Sequence, residues 1–426
     1  MKSYRYPARE EWNEILKRPV FDTSVLNKSV QKILLSVKTK GDKAVRKYTK
    51  QFDGVALRNS EVSAAEFDAA REIVSPELKK AIEQAVKNIR LFHQQQLSEP
   101  EIIETMPGVQ CWRKMIAIEK VGLYIPGGSA PLFSTVLMLG IPAVLAGCKQ
   151  LILCTPPGKE GTVNPAILVA AEIVGIKKIF KVGGVQAIAA MAFGTESIPS
   201  VSKIFGPGNQ YVTAAKQLVQ QYGIAIDMPA GPSEVAVLAD DSCNPRYVAA
   251  DLLSQAEHGA DSQVLLVTTS QDALSRVQEA IDQQLNQLSR KEIATKALEN
   301  SKAILVNNLD EAIDLLNEYA AEHLIISCDG ADSIADRIIN AGSVFIGNYS
   351  PESVGDYASG TNHTLPTNGY AKAYSGVSVD SFTRKITFQK LSSTGLQNIA
   401  ETVQRMAEAE GLDAHAHAVK IRILDL

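Results

Sequence analysis

Glu322 and His323 stand side by side where DEAIDLLNEYAAE (310–322), apolar at helical spacing, gives way to the β-branched run HLIIS (323–327). A carboxylate beside an imidazole at a helix–strand junction can move a proton. Imidazole titrates near neutrality, and burial lifts a carboxyl group toward the same range. A helix-end acid with a capping histidine is the plainer reading of the same two residues. SQAEHG (254–259) places Gln255 and His258 three residues apart near the end of a helical run, on one face, with Glu257 turned aside. A histidine and an oxygen donor at that spacing can hold a borderline cation such as zinc. A histidine at a helix C-terminus also simply complements the dipole. The polar loop VGDYASGTNHTLPT (354–367) offers Asp356 as a metal ligand and His363 as a substrate contact, and EGLDAHAHAV (410–419) adds Glu410, His415 and His417. Together these supply nitrogen and oxygen donors for one zinc ion without thiolates, a set suited to catalysis more than to structure. Neither G-x-S-x-G nor H-E-x-x-H occurs, which argues against the commoner hydrolase and zincin readings.

The elements that must position these residues alternate. LILC (151–154), KKIFKV (177–182) and SKIF (202–205) read as strands, each followed by an apolar helix, with IAIDM (224–228) after the last. The alternation restarts at EVAVLAD (234–240) and runs through QVLLVTT (263–269), AILVNN (303–308), HLIIS and SVFIGN (343–348). This predicts two open α/β units with parallel sheets. The expected division is a helical arm at 1–20, a discontinuous unit from 21–121 and 234–379 carrying the chemistry, a second unit at 122–233, and a helical tail at 380–426.

Open α/β sheets bind ligands beyond the carboxyl ends of their strands. Four Gly/Pro turns lie near 122–233: IPGGSAP (125–131), KVGGVQA (181–187), FGPGN (205–209) and PAGPSE (229–234). They would let a ligand approach the backbone, or they punctuate strand and helix. The dinucleotide fingerprint G-x-G-x-x-G is absent, because Tyr211 stands where the third glycine would fall, and there is no Walker A sequence.

The chain has 426 residues, 43 Lys+Arg against 47 Asp+Glu, and 45% apolar residues. That is about three domains' worth of chain at roughly 150 residues each. The net charge of −4 argues against a nucleic-acid or polybasic membrane-surface protein. Five scattered cysteines with no C-x-x-C fit a reducing cytoplasm, and the first residues show no apolar h-region of a signal peptide. The longest apolar stretch, Val136 to Cys148, is too short to span a bilayer.

Several runs resemble one known family. GLYIPGGSAPLFSTVLM (122–138), IFGPGNQYVTAAK (204–216), DMPAGPSEV (227–235), DLLSQAEHG (251–259), AAEHL (320–324), GDYASGTNHTLPT (355–367) and EGLDAHAHAV are similar, in order, to histidinol dehydrogenase. The resemblance implies two incomplete Rossmann-like sheets of aldehyde-dehydrogenase-like kind. It implies two NAD-linked oxidations of L-histidinol through the aldehyde to L-histidine. It implies Zn2+ on Gln255, His258, Asp356 and His415, with His323 as base and Glu322 activating water. Ser233, His323, Asp356, His363, Glu410 and His415, with Gln255 and His258, would meet substrate. Tyr124, Gln186 and Asn209 would meet NAD. The tail would cross to a partner in a homodimer, so that Glu410 and His415 complete the other chain's site; His415, rather than His417, matches the family's spacing. A zinc hydrolase and a two-lobed binding protein are the competing readings of the residues alone.

Overall fold

The computed structural model describes residues 1–18, 23–127 and 131–426. The expected boundary at 20–21 and the centre of the IPGGSAP turn lie outside them.

Two parallel sheets organise the chain, as the alternation predicts. One has six strands in the order Lys2–Arg5, Lys302–Leu305, Gln263–Thr268, Glu234–Ala239, His323–Ser327, Ser343–Ile346. Its three central strands are buried at every position. Val, Leu and Ile dominate them because helices cover both faces. Pro245–Ala256, Gln271–Leu285 and Lys291–Glu299 pack on one face, and Leu309–Tyr319 on the other. Within this sheet the chain steps one way from Glu234–Ala239 and then returns to its other side as His323–Ser327, so strand order reverses between these two neighbours.

The other sheet has five strands, ordered Lys178–Lys181, Gln150–Thr155, Lys120–Tyr124, Lys203–Phe205, Ala225–Ile226. Helices Phe133–Ala146 and Pro165–Val174 lie on one face, and Gly184–Phe193 and Gln210–Val219 on the other. The helices between 23 and 94 bury their apolar stripes against this five-stranded unit. Val30, Leu34 and Val45 join the core of one face, and Ile82 and Ile89 that of the other. The expected division gave 21–121 to the six-stranded unit; the packing places these helices with the other sheet.

Two terminal pieces depart from the helical expectation. The arm opens as the edge strand Lys2–Arg5, whose charged residues protect an otherwise open edge, before the short helix Trp12–Ile15. The tail opens as Thr383–Leu391, which pairs antiparallel with Val109–Ala117 in a three-stranded sheet, and Trp112 stacks on Phe388 at 5.5 Å. Charged residues in TRKITFQKL mask its period of two. Helices Ser393–Ala409 and Asp413–Leu424 follow. Among the described residues no helix is long and apolar enough to cross a membrane.

Phe382, fully buried, stacks on Phe205 at a centroid distance of 4.0 Å and ties the start of the tail to the five-stranded sheet. Phe382→Ala is expected to cost about 3–5 kcal/mol, read as a lower urea midpoint with an unchanged slope.

Candidate active site and cofactor cleft

The acid–imidazole pair sits at the amino ends of two adjacent strands. Glu322 and His323 are 6% and 4% exposed. The backbone of one residue holds both: the Glu234 N–H donates to Glu322 Oε2 at 2.9 Å, and the Glu234 carbonyl accepts from His323 Nδ1 at 3.2 Å. Since a carbonyl can only accept, Nδ1 carries a proton and Nε2 faces Asp356 Oδ1 at 3.5 Å. Phe345 lies beside the ring at 5.9 Å between centroids. Burial raises the Glu322 pKa. Burial alone would lower that of His323, but Glu322, Asp356 and Glu352 around it raise it instead. The pair therefore retains a proton that free side chains would release.

Three donors converge next to this pair. Ligand atoms of His258, Glu352 and Asp356 lie within 4.8 Å of one another. His258 stands just past the end of helix Pro245–Ala256, its N–H bonded to the Gln255 carbonyl, so the expected helical pair survives as a turn. Asp356 lies on the short helix Glu352–Tyr357, where a polar loop was expected. Glu352 is one helical turn before it, on the same face. Gln255, wholly buried, stands behind Glu352: in the amide orientation its neighbours require, it donates to Glu352 at 2.7 Å and accepts from the Glu234 N–H at 3.1 Å. Burial, then repulsion from Asp356 and Glu322, lifts the Glu352 pKa, with His323 opposing. For Asp356, burial would raise the pKa, but the facing His323, with His363 and His258 nearby, lowers it instead. A buried, carboxylate-rich set with one exposed imidazole at its mouth fits a divalent cation with nitrogen and oxygen preferences.

His363 belongs to the same wall. Its Nδ1 donates to the Asp356 carbonyl at 2.9 Å and its Nε2 pairs with Thr135 Oγ1 at 3.1 Å, which joins this loop to helix Phe133–Ala146. Ser233, half-buried, immediately precedes the strand that carries Glu234. Glu410 and His415 are exposed on the tail, and among the described residues His415 is not one of the converging donors.

The five-stranded sheet carries the other expected cluster, at its carboxyl ends. A cavity of about 1190 Å³ there is lined by Tyr124, Gln186 and Asn209, with Asp53, Lys32 and Lys47. Tyr124 ends its strand, and its hydroxyl accepts the Gly184 N–H at 3.0 Å at the start of helix Gly184–Phe193. Asn209 caps helix Gln210–Val219, accepting from Tyr211 and Val212 N–H at 3.1 and 3.2 Å. Two helix N-termini thus face the cleft, an arrangement suited to phosphate. Gln186 is wholly buried, and its Oε1 has no hydrogen-bond partner among the described residues. Gly206, at φ +129°, passes so close to the Tyr124 carbonyl oxygen that any Cβ would collide with it. Beneath that turn a buried Lys216–Asp227 pair at 2.5 Å grips both the N–H and the carbonyl of Gly206.

Glu352, Glu234, Asp53 and Arg18 escaped the sequence reading. Only Glu352 left a signal, its spacing of four from Asp356. The others are defined by distant partners.

Two α/β units, a cleft of about 1190 Å³ and a buried acid–imidazole pair beside a metal-competent cluster define an α/β enzyme. The histidinol dehydrogenase family model matches residues 16–423. The chain is 59% identical over 423 residues to histidinol dehydrogenase of Bacteroides thetaiotaomicron, covering 99% of both, and 59% identical to that of Bacteroides fragilis strain NCTC 9343, covering all of both. The crystal structure of histidinol dehydrogenase from Elizabethkingia anophelis superposes with a TM-score of 0.98 at 56% identity, covering 100% of this chain and 98% of that one. The chain belongs to the histidinol dehydrogenase family, and hence among the oxidoreductases.

Burial holds the Asp53 pKa at about 6, above its ordinary value. The folded state therefore keeps a proton that the unfolded chain loses near pH 4, and stability falls as pH rises through that interval. Asp53→Asn is expected to melt above the parent at pH 8, with the gap closing below about pH 4 in thermal scans.

Proposed function

We propose that the protein oxidises L-histidinol to L-histidine in two NAD-linked steps through the aldehyde. The observation carrying this reading is the buried Glu322–His323 pair set against the His258–Glu352–Asp356 cluster, in a chain of this family. Overall, one alcohol, one water and two NAD⁺ become one carboxylate, two NADH and three protons.

His258 and Asp356, with Gln255 beside them and His415 from a second copy, would hold Zn2+, whose chemistry is to fix the substrate's imidazole and amine. Tyr124, Gln186 and Asn209 would hold NAD, which takes up a hydride at each oxidation. His323, in its neutral form, presents Nε2 to take the alcohol proton, while its Nδ1–H bond to Glu234 fixes ring and tautomer. Glu322, whose carboxyl group burial has made more basic, accepts a proton from the water that adds to the aldehyde. His323, its first proton released to solvent, then takes the proton of the resulting diol. Ser233, His363 and the partner copy's Glu410 would bound the substrate, with Gln255, His258, His323, Asp356 and His415 contacting it. The exposed tail supports an intertwined homodimer, because it carries two expected site residues that one chain leaves outside its own cluster.

NADH absorbance should rise when L-histidinol and NAD⁺ meet the zinc-loaded protein at alkaline pH; no rise refutes the reading. His323→Asn is expected to lower kcat about 10²–10⁴-fold with bound zinc, measured by metal analysis, largely retained. Mixing His323→Asn with His415→Asn after joint refolding should restore about a quarter of parental activity, since half the dimers are mixed and each has one intact site. No recovery would mean that each chain supplies its own tail.

A further inference from the structure

The Glu234 backbone N–H and carbonyl hold Glu322 and His323, so whatever fixes Glu234 fixes the pair. Its side chain, 2% exposed, receives two hydrogen bonds from Arg18, Nε to Oε1 at 2.5 Å and Nη2 to Oε2 at 2.8 Å. The Asn368 N–H adds a third, at 3.0 Å. The same guanidinium donates to the Tyr319 carbonyl at 2.8 Å and lies 4.0 Å from the centre of the Tyr319 ring. Tyr319 ends the helix that leads into Glu322. Between them Ala320 turns with φ +53°, a left-handed conformation that a non-glycine residue keeps only when its surroundings impose it. Arg18 thus grips both segments that meet at the pair: the strand start whose backbone holds it, and the helix end that delivers the acid and the imidazole. The arm that carries it is anchored by Trp12 and Leu16 in the same core as Tyr319.

We infer that Arg18 and Glu234 are positioning residues: the N-terminal arm sets the geometry of proton transfer at the opposite end of a buried bidentate ion pair. This rests on the proton-handling role of Glu322 and His323. Lysine lacks the planar fork and cannot reproduce the clamp.

The test compares Arg18→Gln, Arg18→Lys and the double variant Arg18→Gln/Glu234→Gln with the parent. Each is examined for kcat, KM, melting temperature and the ¹⁵N shifts of the His323 ring, assigned through His323→Asn. Arg18→Gln is expected to lose about 10–100-fold in kcat with KM for NAD⁺ within about twofold, and Arg18→Lys to recover only part of it. The double variant removes the lone buried charge, so its melting temperature should return toward the parent's while kcat stays low. The His323 Nδ1 shift should move in all three. A kcat that returns with stability, or one that never falls while the shift stays fixed, would overturn the inference. If the parent itself oxidises no histidinol, the functional reading fails, and the ¹⁵N shifts still decide whether Arg18 sets the ring.

Discussion

The site is organised around an excess of buried negative charge. Glu234, Glu322, Glu352 and Asp356 crowd one region, yet Arg18 and His323 are the cations bonded or ion-paired to them there. Burying a carboxylate without a partner is far costlier than burying a neutral group, so each must find a donor, a proton or a cation. Glu234 takes the guanidinium. Glu322 takes a backbone N–H and lies 3.7 Å from the His323 imidazole. Glu352 takes the Gln255 amide, and together with Asp356 and His258 it leaves the position where a divalent ion would balance the remainder. Raised basicity at Glu322 and metal competence at the neighbouring cluster are thus two results of one electrostatic constraint.

The two sheets gather their candidate residues at opposite ends. On the five-stranded sheet the cleft follows the familiar rule, lying beyond the carboxyl ends among helix N-termini and close glycine turns. On the six-stranded sheet Glu322, His323 and Ser233 lie at the amino ends, although strand order does reverse there between Glu234–Ala239 and His323–Ser327. Helix N-termini suit an anionic cofactor. The amino-end arrangement instead presents backbone N–H and carbonyl groups of the first strand residues, and Glu234 uses both of its own. A carboxylate needs a donor and an imidazole N–H an acceptor, and the backbone of a single residue supplies them.

Much of this was legible from residue order. The strand–helix alternation gave both sheets, and local residue chemistry offered His258, His323 and Asp356 as candidates, whereas Tyr124 and Asn209 came only from the family resemblance. What stayed hidden has a common physical cause. Arg18 and Glu234 are far apart in the chain, and neither lies in a pattern that marks it as anything but a surface charge. The tail strand was obscured because both of its faces carry charge, Arg384 and Lys390 on one and Lys385 on the other. The helices between 23 and 94 revealed their apolar stripes but not which sheet would receive them, since amphipathicity names a face and not a partner.

The Arg18 clamp spans 216 residues to Glu234 and 301 to Tyr319. Contacts so distant in sequence form late, after long loops have closed. Helices and individual sheets can therefore be complete while the acid–imidazole pair is still unset. Recovery of turnover should lag recovery of circular dichroism during refolding, because the arm must close on Glu234 and Tyr319 before the pair is set.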